Sequence, residues 1–335
     1  MITVAKAFGN NSPSGLFFGV EIEVEGKNLI GIPSVEWKSK PEGSLRGECI
    51  EYVFKKPLPF HAAVDAVNNA YRAFEIHGTQ IDDSFRAGTH VHVNVGDLTF
   101  RQLSGFLFLF YIFEEVLVDL CGENRVGNHH SLRLYDTYGA VMNWQKAFSN
   151  QKIAFVTRTG HKYAAANLIT LAKFCTVEFR FLPTYLEAEP LIEWLHVFRE
   201  LYNKGIDYDI FLLLSVVDNM TSEEIVNFFF DNMPEFKDKI LSVPNFDAKL
   251  ARSVSFLREL VWSCEEKEID WNFEFKSKMQ GPTIDSILSP GVALFEQWIT
   301  TGPSTLVETT ENQESDLEED QENQLEEEPE TEENF

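Results

Sequence analysis

Two imidazoles and one amide recur at every second position in residues 88–95, which read GTHVHVNV. Side chains in a strand alternate between the two faces of a sheet, so His90, His92 and Asn94 share one face and the valines share the other. The valine face is suited to a hydrophobic core. The polar face fits a metal or anion site, but it equally fits an exposed strand with two incidental histidines. Neighbouring strands must decide between these interpretations.

Three further segments alternate in the same way, each with one apolar and one charged face. The charged faces carry Glu21 and Glu23 in residues 17–26, Glu51 in residues 48–54, and Glu178 and Arg180 in residues 176–183. Each pattern alone is typical of a solvated sheet face or a cross-strand ion pair. Together they are more informative, because carboxylates crowded on one sheet repel each other unless cations lie among them.

The combined set of side chains favours a particular chemistry. Carboxylates with a neutral imidazole are suitable ligands for a hard divalent cation such as Mg²⁺ or Mn²⁺. An arginine beside them suits an anionic group such as phosphate. Carboxylates, a divalent metal and arginine together indicate phosphoryl transfer, in which a protein mainly positions phosphates and neutralises charge. The sequence contains neither a P-loop nor the protein-kinase motifs, so neither of those ATP folds is predicted.

The elements that position these strands follow from periodicity and breakers. We predict helices over residues 60–77, 99–120, 190–204 and 246–264, and another that begins at the capping box of Thr221 and Glu224. The helix over residues 99–120 is apolar enough to be buried but too short in its apolar part to span a bilayer. Residues 27–47 and 123–160 are predicted to be loops, and a loop as long as the second is often a lid or binding loop.

Charge is distributed unevenly along the 335 residues, whose formal net charge is −25. Residues 308–335 contain 14 acidic residues and no Lys or Arg, which leaves about −11 on the rest of the chain. We predict a disordered acidic tail over 303–335, which either solvates the protein or docks a basic partner. The remainder has no basic run, so nucleic-acid binding is not expected.

The four cysteines are far apart and none forms a Cys-x-x-Cys pair. This spacing indicates reduced thiols in a cytoplasmic compartment and argues against a structural zinc site. The amino terminus lacks the pattern of a signal peptide, and no membrane association is expected.

Five short motifs resemble, in order and spacing, those of the amidoligase family. This family belongs to the glutamine synthetase-like carboxylate–amine ligases, and phages encode many of its members. The motifs are GVEIE (19–23), EGSLRG (42–47) followed by EYV (51–53), GTHVH (88–92), Lys162-Tyr163 followed by Asn167, and TVEFR (176–180). The resemblance covers roughly residues 17–185. It implies an α+β fold in which a curved antiparallel sheet is backed by helices, in a bacterial or phage-infected cell.

The resemblance also implies an activity: ATP-dependent joining of a carboxylate to an amine through an acyl-phosphate. The amine could belong to a small molecule, a peptide or a protein side chain. The implied Mg²⁺ ligands are Glu21, Glu23, Glu51, His90 and Glu178. The implied contacts to phosphates, nucleotide and substrate are His92, Lys162, Asn167, Arg125, Arg180 and Glu42.

Two positions depart from the family pattern. Glu42 stands where the family usually has Asp, and its side chain is one methylene longer. Arg125 is followed by Val126 and Gly127 rather than by Tyr and Cys.

The domain division expected is a catalytic core over residues 1–207, a helical region over 208–302 packed on the core, and the tail. Two other functions stay open at the level of sequence. One is a metal-dependent hydrolase that uses the histidines and carboxylates to activate water. The other is a non-catalytic scaffold with a glutamine synthetase-like fold, in which the tail makes the interactions.

Overall fold

An antiparallel sheet lies at the centre of the computed structural model. The structure describes residues 2–265 apart from Pro33, Glu42, Ser44 and Gln151, without the side chains of residues 159 and 263–265. Its strands are β1 (Phe17–Lys27), β2 (Trp37–Pro41), β3 (Cys49–Phe54), β4 (Leu58–Pro59), β5 (Gln80–Ile81), β6 (Gly88–Asn94), β7 (Ala166–Asn167) and β8 (Thr176–Pro183). The order across the sheet is β2-β3-β1-β6-β8-β7, and β4 and β5 both pair with β1.

Besides three short 3₁₀ helices, the described part of the chain contains ten α-helices. They are α1 (Val4–Phe8), α2 (Phe60–His77), α3 (Phe100–Leu120), α4 (Tyr138–Asn150), α5 (Thr170–Phe174), α6 (Ala188–Gly205), α7 (Ile210–Asp218), α8 (Ser222–Phe229), α9 (Pro234–Leu241) and α10 (Phe246–Glu265). The predicted α+β class, an antiparallel sheet backed by helices, is confirmed. The predicted helices correspond to α2, α3, α6, α8 and α10.

Helix α3 is the centre of the hydrophobic core. Thr99 caps its first turn in a reciprocal capping box with Gln102. Nearly every residue from Phe100 to Val118 is buried, which is typical of a helix that is apolar on all sides. Because α3 is covered all round, other helices can pack against it while it packs against the sheet.

The apolar face of the sheet meets this helical layer through aromatic side chains. Phe179 of β8 is fully buried. Its ring stacks on Phe198 of α6 with centroids 4.2 Å apart, and it contacts Phe110 of α3 at 4.8 Å. Since one face of β8 is committed to this core, Glu178 and Arg180, on either side of Phe179, must point to the opposite face.

Two loop predictions were partly wrong. Residues 27–47 contain β2, whose single buried side chain, Trp37, donates a hydrogen bond to the Ala66 carbonyl at 2.9 Å. Residues 123–160 contain α4, in which Trp144 and Phe148 are buried and stack on each other. Strand β2 has no local signature, since Trp37 is its single anchor in the core. Helix α4 does have one, because its buried residues Ala140, Asn143, Trp144, Ala147 and Phe148 are at helical spacing, and the loop interpretation overlooked it.

The described residues belong to a single compact unit. Within it, helix α10 packs against α3 and α4, and α7 packs against α3. The predicted acidic tail over 303–335 and the rest of the predicted helical region after residue 265 lie outside the described residues. Among the described residues, none of the helices combines the length and the apolar character that crossing a membrane requires.

Candidate metal and anion-binding site

The register of the sheet brings the four charged strand faces together. Glu21 of β1 lies opposite His90 of β6, and His92 lies opposite Glu178 of β8. On the other side of β1, Glu23 lies opposite Glu51 of β3. The predicted site residues of these four strands, which extend from Glu21 to Arg180 in the chain, therefore occupy one surface.

A shift in the pairing of β6 with β8 adjusts this surface. Val91 pairs with Phe179, but Thr89 pairs with Leu182, so the register changes between them. Two residues of β8 therefore lie across from His90. Irregularities of this kind bend a strand and change the direction of its side chains, and they are frequent beside functional sites.

Glu21, His90 and Glu178 form the centre of the site, and we refer to them as the trio. The Nδ1 atom of His90 lies 3.3 Å from Glu21 Oε2 and 3.4 Å from Glu178 Oε1. One ligand atom from each residue lies within 4.8 Å of those of the other two. Two carboxylates and one imidazole this close fit a divalent cation, because a cation between them offsets the repulsion of the two carboxylates.

Two other carboxylates that were predicted to bind metal lie to the side of the trio. Glu23 Oε1 is 4.0 Å from His90 Nε2, and Glu23 Oε2 accepts a hydrogen bond from the Gly88 amide at 3.2 Å. Glu51 forms an ion pair with Lys40 of β2 at 2.8 Å. Glu23 is thus a neighbour of the trio, whereas Glu51 lies one strand further away with a lysine as its partner.

Glu178 is held in place by two residues that the sequence also singled out. Asn167 of β7 donates from Nδ2 to Glu178 Oε2 at 2.6 Å, and Arg180 donates from Nη1 to Glu178 Oε1 at 2.5 Å. Glu178 is only 4% exposed. A buried carboxylate with charge-assisted hydrogen bonds on both oxygens has a fixed orientation, so Asn167 and Arg180 position this member of the trio.

His92 lies beside the trio on the same strand as His90. Its Nδ1 atom is 3.1 Å from Thr176 Oγ1, and its Nε2 atom is 3.4 Å from Glu21 Oε1. Gly19 lies directly opposite and makes room for this ring, because a Cβ at position 19 would lie 3.2 Å from the Cβ of His92. Thr176 was not predicted to belong to the site, although it lies two residues before Glu178 in β8 and therefore shares its face.

The charges of His92 and Glu21 are coupled. Burial lowers the pKa of His92, but the contact with Glu21 and the charge of Glu178 outweigh burial, so the pKa is raised above 6.5. Burial raises the pKa of Glu21, but the close contacts with the His90 and His92 rings outweigh it and hold that pKa well below its usual range. The surface therefore retains an ionised Glu21 at neutral pH.

Replacing Glu21 with glutamine should lower the pKa of His92 in the metal-free protein. The substitution removes the carboxylate that favours the imidazolium, while burial, which favours the neutral ring, stays. An NMR titration of the His92 imidazole, with a chelator present, measures the shift. Glu200→Gln, which changes a buried carboxylate of α6, is the matched control. An unchanged pKa in Glu21→Gln would show that Glu21 does not set the charge of His92.

Basic side chains gather at the end of the site where β6 begins. Arg125 is 2% exposed and donates from Nη2 to the Ala87 carbonyl at 2.5 Å. Its guanidinium lies against Gly88, where a Cβ would come within 2.9 Å of Nη2. The Nε atoms of Arg125 and Arg180 are buried without a hydrogen-bond partner among the described residues. Buried guanidinium N–H groups of this kind normally have an acceptor, so these two groups are candidate donors to a bound anion.

His130 and Arg86 belong to the same end. Burial lowers the pKa of His130, and the nearby positive charges of Arg180, His129, Arg125 and Arg86 lower it further. We call Arg86, Arg125, His130 and Arg180 the basic end of the site. The sequence pointed to Arg125 and Arg180 but not to Arg86 or His130, since neither has a characteristic spacing.

The remaining predicted residues are placed as follows. Lys162 is exposed, and its ammonium lies 5.1 Å from the ring centroid of Tyr163, which in turn contacts His130. It therefore lies at the rim of the basic end. Glu42 lies outside the described residues. Asn94 donates hydrogen bonds to the carbonyls of Pro13 and Gly15 and so anchors the loop before β1, a supporting role.

Comparison with known proteins does not assign this site. No protein-family model matches the chain, and no curated protein matches it.

Proposed function

We propose that the protein is an ATP-dependent carboxylate–amine ligase of the amidoligase kind, with a glutamine synthetase-like fold and a Mg²⁺–ATP site. The observation that carries this proposal is the meeting of the trio with the basic end on one polar sheet face. The trio offers oxygen and nitrogen ligands to a divalent cation, and the basic end offers donors to anions. Phosphoryl transfer needs both next to each other, because the protein must neutralise and orient phosphate oxygens.

The order of the motifs also supports the proposal. The segments that resemble amidoligase motifs are far apart in sequence, yet β3, β1, β6, β8 and β7 are consecutive neighbours in the sheet. The polar residue of each motif points to the same surface. A set of unrelated solvated strands has no reason to place its histidines and carboxylates within ion-pair distance of each other while burying them.

The reaction requires two transfers. The γ-phosphoryl group of ATP passes to a substrate carboxylate, with ADP as the leaving group, and an amine then displaces phosphate from the acyl-phosphate to give an amide. A divalent cation at the trio would supply Lewis-acid neutralisation of phosphate charge. Arg180 and Arg125 can donate to the phosphoryl and carboxylate oxygens. Asn167 keeps Glu178 oriented, and His92 beside the trio offers a ring N–H that can donate to a phosphate oxygen.

The proposal predicts a strict co-substrate requirement. ADP and phosphate should be released only when Mg²⁺, ATP, a carboxylate and an amine are all present, and condensation products should appear by mass spectrometry in pools of candidate substrates. Hydrolysis of a candidate substrate that needs the divalent cation but no ATP would instead indicate the metal-dependent hydrolase. Absence of Mg²⁺–ATP binding in calorimetry would indicate a non-catalytic scaffold. Either result would overturn the ligase proposal.

A further inference from the structure

An exposed phenylalanine lies at the opposite end of the site from the basic residues. Phe174, at the end of α5, is 54% exposed. Its ring lies nearly perpendicular to the imidazole of His92, with centroids 6.4 Å apart. The ammonium of Lys173 lies 4.8 Å from the centroid of the same ring. Single exposed aromatic residues are common on protein surfaces, but this one touches a residue of the site.

The turn that presents Phe174 is held by specific contacts. Cys175, the next residue, has a φ of 56°, a left-handed conformation that is uncommon for a residue other than glycine. Its amide donates to the Leu171 carbonyl, and its own carbonyl accepts from the Val95 amide. Thr170 Oγ1 donates to the Thr176 carbonyl at 2.7 Å. A backbone in a disfavoured conformation persists only where its surroundings enforce it, and such positions cluster at functional sites.

The loop before β1 closes this end of the site from the other side. Asn10 donates from Nδ2 to the Ala172 carbonyl at 2.7 Å, which joins the loop to α5. Asn94 holds the same loop through the Pro13 and Gly15 carbonyls. The site therefore has three zones in a row: the basic end, the trio, and an aromatic end at Phe174. His90 belongs to the trio, and His92 contacts Phe174 at the aromatic end. Because these histidines are two positions apart in β6, the trio and the aromatic end are about 6.6 Å apart along the strand.

We propose that Phe174, with Lys173 beside it, is a stacking platform for the base of the nucleotide whose phosphates bind at the trio. This inference rests on the proposed function, because it assigns a binding site to the base, the part of the nucleotide that the trio and the basic end do not bind. A flat, half-exposed ring gives a base an apolar surface, and stacking tolerates any base because every base has a π-face. The lysine can add a cation–π contact or reach a ribose or phosphate oxygen.

Calorimetry with two probes separates the base from the phosphates. Mg²⁺–ATP and Mg²⁺–tripolyphosphate are titrated into the full-length wild type and into Phe174→Ala, Phe174→Leu and Phe174→Trp. We expect Phe174→Ala and Phe174→Leu to bind ATP about tenfold more weakly, and Phe174→Trp to bind it at least as tightly as the wild type. Tripolyphosphate binding should change less than about twofold in all three, because this ligand has no base to stack.

Phe228→Ala is the matched control. Phe228 is also a partly exposed phenylalanine (38%) with a lysine over its ring, but it lies on α8 in the helical layer. It should bind both probes like the wild type. If the wild type binds both probes and Phe174→Ala retains full ATP affinity, the platform is wrong while the proposed function stands. Weakened binding of both probes in Phe174→Ala also overturns the platform. If the wild type binds neither probe, the proposed function and the platform fail together.

Discussion

Replacing Glu178 with glutamine should reduce ATP-dependent turnover by about a thousandfold or more, the scale of losing a group that stabilises transition-state charge. Glu178 contacts His90 within the trio and is held from outside it by Arg180 and Asn167. Glutamine keeps the shape but removes the charge that a divalent cation needs. Its NH₂ group also faces a donor, either Arg180 or Asn167, because the single carbonyl oxygen takes the place of only one of the two accepting oxygens. We expect loss of metal binding and of turnover together, with little loss of fold.

The measurement combines ADP release, calorimetric titration with Mg²⁺ or Mn²⁺, and circular dichroism. Glu200→Gln is the matched control, because Glu200 is about as buried as Glu178 and also accepts from an asparagine, Asn232, but lies on α6. It should retain turnover and metal binding. Full ATP-dependent ligation by Glu178→Gln would remove Glu178 from the metal site and with it the trio.

Truncating Phe179 to alanine should destabilise the protein by about 3–5 kcal/mol, the usual cost of deleting a fully buried aromatic side chain. Phe179 contacts Phe198, Phe110 and Phe106, so its loss leaves a cavity between the sheet and both α3 and α6. Its neighbours in the chain, Glu178 and Arg180, depend on that packing for their position. Metal affinity should therefore fall under conditions in which the variant is still folded.

Urea unfolding followed by circular dichroism measures the loss of stability, and metal titration in the absence of urea measures the loss at the site. Phe85→Ala is the control, because Phe85 is 61% exposed and its truncation creates no cavity; its unfolding free energy should stay within about 0.5 kcal/mol of the wild type. Phe179→Leu should lose less stability than Phe179→Ala. An unfolding free energy of Phe179→Ala equal to that of the wild type would mean that the aromatic contacts do not hold β8.

Local alternation was sufficient to predict the strands that carry the site. Glu21, His90, Glu178 and Arg180 lie on strands whose other face is valine, isoleucine or phenylalanine, and burial of that face fixes the direction of the polar side chains. The helices with long apolar patterns, such as α3 and α6, were predictable for the same reason. Strand β2 was not predictable, because it relies on Trp37 alone. Helix α4 was missed although Ala140, Trp144, Ala147 and Phe148 have helical spacing, since Gly139 and the polar residues around them favoured a loop.

Pairing between strands is not encoded locally, and it decided which predicted residues meet. A strand pattern shows which face Glu51 occupies but not that Lys40 of an unpredicted strand pairs with it. Nor does it show the register shift opposite His90, or that Thr176 contacts His92. Arg86 and His130 lie on connecting segments, and Phe174 ends the short helix α5. None of the three belongs to a longer periodic pattern, so only their contacts reveal them.

The sequence by itself determined the residue types of the site, the faces they occupy and the apolar surface behind them, because strand and helix periods depend on neighbours along the chain. The tertiary structure alone decided that Glu21, His90 and Glu178 form the trio while Glu51 lies apart. It also decided that basic and aromatic groups occupy opposite ends of the same surface. Those outcomes depend on strand order, register and loop packing, which are set by contacts between residues far apart in the chain.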